Sequence, residues 1–342
     1  MCGIVGYIGN HEATGILLAG LRELEYRGYD SAGMAVLETG GLRCFKAVGK
    51  LDNLAAKVDA YRSSGAVAAI GHTRWATHCK PTEANAHPPG LTHSHVVHNG
   101  IIENYQCLKA SVSTRFLSQT DSEVIVHLFE KHLADQGNDP GAALAVFRAS
   151  LDQLHGAYAI LLVSELTPGR IFFARKGSPL QVGFTASGCY FASSDAPLLG
   201  VCDTALYFED GQWGMATETD LLVFDAQGDP VEPVFSLLPV SSVAAQKEGF
   251  RYFMEKEIYE QPRVLGDILT GRLRDGAVEL EEFPPDWLLP FRSITLCACG
   301  TSYHAALAGS YLLERLARVP VKVEIASEFR YCDPVLDPGG CS

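Results

Sequence analysis

Apolar and polar residues alternate with two different periods along the first 240 positions of this chain, and a different pattern follows. Cys2 to Ile8 is a short apolar run closed by Gly9-Asn10, which predicts an opening strand. From His11 to Tyr26 the apolar residues fall at helical spacing (Ile16, Leu17, Leu21, Leu24), and Gly28 reads as the helix stop. Further strands are predicted at Asp30 to Leu37, Cys44 to Val48, Ala66 to Trp75 and His95 to Ile102. The same pattern returns at Tyr158 to Val163, Arg170 to Ala174, Tyr190 to Ser193 and Leu221 to Phe224. Thr120 to Leu133 predicts a helix: Thr120-Asp121-Ser122-Glu123 fits a capping box, and Val124, Leu128 and Leu133 mark a buried face.

The texture changes near residue 240. Ser241 to Gln246 is small and polar, and Lys247 to Leu273 reads as helix, bent or interrupted at Gln261-Pro262. Glu281 to Pro290 carries prolines and reads as a connector. Then Ile294 to Cys299 predicts a strand, Gly300-Thr301-Ser302 a turn, Tyr303 to Arg318 a helix and Val321 to Ile325 a strand. This β-loop-α-β order points to a parallel sheet. The expected organisation is a first domain at 1–240, a helical linker at 241–290 and a second domain opening at 291–342. The second segment is too short to cover both faces of such a sheet. The expectation is therefore that the chain stops, at Gly340-Cys341-Ser342, inside that domain.

Composition narrows the classes. A net charge of −13 over 342 residues lacks the basic footprint of general nucleic-acid binding. No basic region precedes an apolar run at the N-terminus, and no apolar segment approaches the roughly 20 residues that span a bilayer. Ten cysteines are scattered without disulfide-like density, which suits a reducing cytoplasm. Cys297-Ala298-Cys299 has no second pair at zinc-ribbon spacing and reads as a buried strand end.

Candidate chemistry gathers in a few places. Cys2 follows the initiator methionine; with Met1 trimmed it would carry both a thiol and a free α-amine of near-neutral pKa, a self-contained nucleophile and base. Taken alone, it reads first as a small buried cysteine at a strand start. Gly71-His72-Thr73-Arg74-Trp75-Ala76-Thr77-His78 is the densest stretch, and Arg74 has the fork geometry to grip a carboxylate. Asn99-Gly100 is first a tight-turn signal, which would also aim an amide and a backbone N–H at one point, as an oxyanion hole requires. Asp121 falls in the first turn of the predicted helix, where a carboxylate is favoured by the helix dipole or could face a substrate ammonium. Six histidines lie between His72 and His98 without metal-ligand spacing. Solvated loop histidines with one or two structural ones explain them more simply, so no metal and no cofactor are expected. Thr301 and Ser302 sit where a helix N-terminus would suit a phosphate, although many such turns bind nothing.

Taken together the segments resemble the glutamine–fructose-6-phosphate aminotransferase (isomerizing) family, the glucosamine-6-phosphate synthases. The resemblance covers the whole chain. Cys2-Gly3-Ile4-Val5-Gly6 matches the start shared by N-terminal-nucleophile glutamine amidotransferases. Arg27-Gly28-Tyr29-Asp30-Ser31-Ala32-Gly33 and His72-Thr73-Arg74-Trp75-Ala76-Thr77-His78 are specific to the glucosamine synthase branch. So are Lys256-Glu257-Ile258-Tyr259-Glu260-Gln261-Pro262 and Ala298-Cys299-Gly300-Thr301-Ser302-Tyr303.

The resemblance implies an α+β glutaminase domain, a four-layer αββα sandwich, followed by an incomplete α/β sugar-isomerase (SIS-type) domain. It implies that Cys2 attacks the glutamine amide, that Asn99 and Gly100 hold the oxyanion, and that Arg74 and Asp121 hold the α-carboxylate and α-ammonium. Thr77 and His98 would line the same pocket, Trp75 would gate an ammonia tunnel, and Thr301 and Ser302 would meet the phosphate of fructose 6-phosphate. A homodimer is possible in the full-length family. This chain alone would be limited to the glutaminase half-reaction of hexosamine biosynthesis. Cys79 departs from the family, which usually has Gly there, and the rest of the isomerase region is absent. Two other readings stand beside this one: another nucleophile amidotransferase such as an amidophosphoribosyltransferase, and a non-catalytic, poorly folded fragment.

Overall fold

The computed structural model describes residues 2–63, 67–75, 81–112, 114–238, 253–269, 273–274, 277–278, 291–332, 334–335 and 340–341. Ala66, Thr77, His78, Cys79, the polar stretch at 241–246, the start of the predicted linker helix and the proline connector at 281–290 lie outside these residues. The chain divides into two compact units, Met1–Phe253 and Met254–Ser342.

In the first unit, β1 (Gly3–Gly9) leads into α1 (Ala13–Leu24), then β2 (Ser31–Glu38), β3 (Gly41–Val48), α2 (Leu51–Val58), β4 (Val67–Arg74) and β5 (Ser94–Ile102). Helices α3 (Tyr105–Ser111), α4 (Glu123–Asp135) and α5 (Ala143–Leu151) follow. The strands resume with β6 (Gly156–Ser164), β7 (Ile171–Lys176), β8 (Gln181–Thr185), β9 (Gly188–Ala192) and β10 (Thr204–Tyr207). The last are β11 (Trp213–Ala216), β12 (Leu221–Phe224), β13 (Pro230–Val231) and β14 (Ser236–Leu237). They form an eight-stranded sheet in the order β14-β10-β8-β9-β1-β4-β2-β3 and a six-stranded sheet in the order β13-β12-β11-β7-β6-β5.

Three buried clusters define the layers. Leu17, Leu21 and Leu24 of α1 and Leu54 of α2 pack on Val5, Tyr7 and Met34 of the first sheet. Ile4, Ile8 and Ile70 of that sheet meet Val97, Leu161 and Phe173 of the second. Phe129 of α4 and Phe147 of α5 cover the outer face of the second sheet at Val96, Ile160 and Phe172. The result is the four-layer αββα sandwich.

Period-2 alternation decides which residues meet between the sheets, because successive side chains of a strand point to opposite faces. Ile4 and Ile8 face the second sheet while Val5 and Tyr7 face α1. Cys2, two residues before Ile4, is therefore on the inter-sheet face. Ile70 faces inward on β4, and His72 and Arg74 follow at the same parity. Val97 faces inward on β5 and so does Asn99, whereas Val96 and His98 point to the helical layer.

Two local expectations are corrected. Asn99-Gly100 is not a turn: it lies inside β5, paired with Ala159 and Tyr158 of β6. Gly100 is required there because its φ is +132° and a Cβ would lie 2.0 Å from the Ala157 carbonyl oxygen. Gly28 does close the helical segment, capping the short turn Glu25–Arg27 after α1 in extended backbone (φ −166°). Its lack of a side chain lets the chain pass the Arg74-Trp75 peptide, where a Cβ would come within 2.7 Å of the Arg74 carbonyl carbon. The capping box at 120–123 does not form, since α4 begins only at Glu123 with Ser122 as its N-cap and no side-chain cap bond. Glu123 instead accepts from the amides of Leu117 and Ser118, both at 2.6 Å. Burial alone would raise its pKa; His127, Ser118 and the two amides outweigh that and hold it below the usual carboxylate value.

The second unit holds α6 (Phe253–Leu269), which starts at the boundary and continues through Pro262, and a short hairpin of β15 (Leu273–Arg274) and β16 (Ala277–Val278). Then come β17 (Ser293–Ala298), α7 (Gly300–Ala317), β18 (Val321–Ile325), α8 (Ala326–Tyr331) and β19 (Gly340–Cys341). Strands β18 and β19 flank β17, both parallel to it, as the β-loop-α-β pattern requires. Cys297 and Cys299 are exposed, not a buried strand end. Among the described residues no helix is long and apolar enough to cross a membrane.

Candidate active site

In the first unit, Cys2, the ends of β4 and β5 and the turn before α4 surround a cavity of about 170 Å³. Cys2, Arg74, Trp75, His98, Gly100 and Asp121 all line it. A larger groove of about 410 Å³ runs along α1 and the segment after β9. Its walls are mostly apolar, with only Glu23 and Tyr190 titratable, so the smaller cavity is the one with reactive chemistry.

Cys2 sits against the end of β4. The Trp75 amide donates to its Sγ at 3.3 Å, and the thiol reaches the Trp75 carbonyl at 3.7 Å. Burial pushes the Cys2 pKa up, while the Trp75 amide and the Arg74 guanidinium pull it down. The net rise keeps the thiol protonated at neutral pH, so a nucleophilic role needs a base beside it. Arg74 is nearly fully buried, and its carbonyl accepts from the Asp30 amide at 3.0 Å, which fixes the strand end that carries it. Trp75 is 42% exposed and rests edge-on against Tyr29, with ring centroids 5.2 Å apart at the mouth of the site.

Asn99 bridges the two sheets. Its amide nitrogen donates to the Cys2 carbonyl at 3.2 Å, and its amide oxygen meets His72 Nε2 at 3.0 Å. Asp121 is not in a helical turn as expected. It lies in the turn before α4, where Oδ2 accepts from the Ile102 amide at 2.7 Å. That bond ties the loop to the end of β5 and holds the carboxylate at the cavity wall.

The structure thus brings together six of the ten sequence-predicted site residues as cavity lining, with Asn99 bonded directly behind Cys2. Thr77 lies outside the described residues. Thr301 and Ser302 belong to the second unit, exposed in the first turn of α7 rather than in a turn before it.

The histidines were misjudged in part. His72, His87 and His98 are buried, not solvated. His87 Nε2 and His98 Nδ1 share the Ser122 hydroxyl at 2.8 and 2.9 Å, and His72 stacks on His87 with centroids 4.2 Å apart. Burial holds the pKa of His72 down at about 3 and those of His87 and His98 below the ordinary value. No group of titratable side chains among the described residues is arranged to hold a metal ion. Sequence reasoning also missed Ser122 and the Asn85–Gln119 pair. The Gln119 amide donates to Asn85 Oδ1 at 2.9 Å, and Asn85 Nδ2 donates to Gln119 Oε1 at 3.1 Å. These contacts pin the loop that carries Asp121. Only the parity of His72 with Arg74 on one strand could have signalled any of this.

A glutamine amidotransferase domain model matches residues 73–200, across β4 to β9, and a SIS domain model matches residues 288–341. Glutamine–fructose-6-phosphate aminotransferase [isomerizing] of Campylobacter jejuni is 51% identical over 98% of this chain and 56% of that protein. Over nearly its whole length the chain is similar to glutamine–fructose-6-phosphate aminotransferases. The Helicobacter pylori protein of the same name is 44% identical over 97% of this chain and 54% of its own length. The chain therefore spans about half the length of the curated aminotransferases it matches. Glutamine phosphoribosylpyrophosphate amidotransferase from B. subtilis superposes with a TM-score of 0.54 at 21% identity, over 94% of this chain and 65% of that one. That likeness is one of fold alone, whereas the likeness to the C. jejuni protein is one of sequence over nearly the whole chain. The amidophosphoribosyltransferase alternative is not favoured.

Proposed function

We propose that the first unit is a glutaminase centre with Cys2 as its nucleophile. The observation that carries this reading is the convergence of Cys2, Arg74, Gly100 and Asp121 at one cavity, with Asn99 bonded to the Cys2 carbonyl, from two sheets and a loop far apart in sequence. With Met1 removed, the α-amine of Cys2 takes the thiol proton, which supplies the base that the raised thiol pKa calls for.

The thiolate attacks the side-chain amide carbon of glutamine, a C–S bond forms, and the carbonyl electron pair moves to oxygen. Asn99 and the Gly100 N–H stabilise that oxyanion. The α-ammonium returns its proton to the leaving nitrogen, the C–N bond breaks and ammonia departs. Water then hydrolyses the glutamyl thioester to glutamate and restores the thiol. Arg74 grips the α-carboxylate of glutamine and Asp121 its α-ammonium. Trp75 closes the mouth, and His98 completes the wall.

In the longer aminotransferases the ammonia would pass to fructose 6-phosphate for hexosamine synthesis, with Thr301 and Ser302 as the phosphate contacts on this chain. The reading keeps the division at 1–240, 241–290 and 291–342, allows a homodimer, and calls for neither nucleic acid nor membrane. A free N-terminal thiol fits the reducing cytoplasm. The test is glutamate release from glutamine by the protein with Met1 removed. Release that disappears in Cys2→Ala supports the reading; release undiminished in Cys2→Ala removes it.

A further inference from the structure

We propose that His72 is a positioning residue, which sets the direction of the Asn99 side-chain amide so that its N–H face, not its oxygen, meets the reacting carbonyl. The inference rests on the glutaminase reading and adds to it a residue that does not line the cavity.

The hydrogen-bond chemistry is directional. The Cys2 carbonyl can only accept, so the Asn99 atom 3.2 Å from it is the nitrogen. Asn99 Oδ1 then faces His72 Nε2 at 3.0 Å, and since Oδ1 can only accept, Nε2 carries the proton. A flipped amide would set two acceptors face to face at Cys2 and aim an oxygen at the developing oxyanion.

The His72 ring is held in turn. It is fully buried on the inter-sheet face of β4 and stacks on His87 at 22°. His87 is bonded to Ser122, which also bonds His98 of β5. The groups acting on His72 are Asn99, His98, Arg74 and the stacked His87. Burial dominates among them and keeps the imidazole neutral, with a single ring proton to place. Asn99 would remain partly oriented by the Cys2 carbonyl without His72. Losing His72 should therefore cost less than losing the Asn99 donor itself.

The experiment measures glutamate release by the full chain with Met1 removed, as wild type, His72→Leu, His72→Gln, Asn99→Ala and the His72→Leu/Asn99→Ala double variant. His72→Leu is expected to lower kcat about 10- to 100-fold, less than the roughly 10²–10³-fold loss of an oxyanion donor, with KM for glutamine within about twofold. His72→Gln, whose amide nitrogen can stand in for Nε2–H, is expected to restore most of the rate. In the Asn99→Ala background, His72→Leu should cost no more than about twofold, because its effect runs through Asn99. An unchanged kcat in His72→Leu, a rise in KM alone, or an equal further loss in the double variant overturns the proposal.

If His72→Leu does not fold, His72→Gln and the ¹⁵N shifts of His72 carry the test. A neutral Nε2–H tautomer from pH 5 to 8 supports the assignment, and an Nδ1–H or doubly protonated ring overturns it. Wild type that releases no glutamate overturns the glutaminase reading. Wild-type activity unaffected by His72→Leu overturns this inference alone.

Discussion

Helices α1 and α7 each follow the first strand of a β-unit, and they differ in what lies over them. Six of the twelve residues of α1 are buried: Ala13, Thr14, Leu17, Gly20, Leu21 and Leu24. Glu12 caps its start by accepting from the Thr14 and Gly15 amides at 2.8 and 2.7 Å. Helix α7 is longer, at eighteen residues, and buries none. Its apolar residues Tyr311, Leu312 and Leu316 are all exposed. Both helices carry apolar positions at helical spacing. Burial is therefore set by the surrounding layers rather than by the helix. In the first unit four layers close over one another, and that closure lets polar groups such as His72 and Glu123 be buried and aimed. A site that depends on sub-ångström hydrogen-bond geometry belongs in such a frame.

Substitutions at matched positions sharpen this contrast. The largest effect is expected from Phe129→Ala, which empties the centre of the helix–sheet core and should cost about 3–5 kcal/mol in denaturant unfolding followed in the first unit. Leu312→Ala, at 59% exposure, should change stability by no more than about 0.5 kcal/mol. A large loss at Leu312 would mean that α7 is covered after all.

Two of the positive-φ glycines, Gly100 and Gly300, give a second pair. Gly100→Ala meets both a strained backbone and the Ala157 carbonyl, and should cost on the order of 3 kcal/mol and abolish glutamate release. Gly300 has φ +61° with nothing within 4 Å of a Cβ, so Gly300→Ala should cost about 1 kcal/mol. Equal losses at the two sites would contradict the difference in packing.

The smallest effect is a pH dependence confined to the first unit. His72, with a pKa near 3, and His87 and His98, also lowered, are neutral when folded, but unfolded histidines titrate near 6.5. The unfolded chain thus binds more protons below about pH 6.5, so this contribution is complete above that value and is lost as pH falls toward the folded pKa values. The unfolding temperature of the first unit should fall from pH 7 to pH 5, and His72→Gln should flatten the fall. A first unit equally stable at both pH values would mean the three rings are not buried neutral.

These contrasts also show what the sequence alone could tell. The strands that carry Ile4, Ile70 and Val97 were visible, but the faces on which Cys2, Arg74 and Asn99 meet follow only from the packing of the two sheets. The β-loop-α-β order of the second unit was visible too. Asn99-Gly100 misled because the local turn preference of the pair lost to nine registered pairs with β6. The capping box misled because Glu123 found nearer amides in the loop before it. The histidine cluster was invisible because His72, His87 and Ser122 are brought together only when β4, the segment before β5 and the start of α4 pack. Long-range contacts of this kind leave no local period in the sequence.

The most direct test of the central claim is covalent. The chain with Met1 removed is treated with a chloroketone analogue of glutamine and mapped by peptide mass spectrometry, with free glutamine as competitor. Cys107, Cys297, Cys299 and Cys332 are exposed and serve as internal controls for simple thiol reactivity. The account expects a single adduct on Cys2, suppressed by glutamine and by Arg74→Ala. Labelling of the exposed cysteines in preference to Cys2, or labelling of Cys2 that glutamine does not suppress, would contradict it.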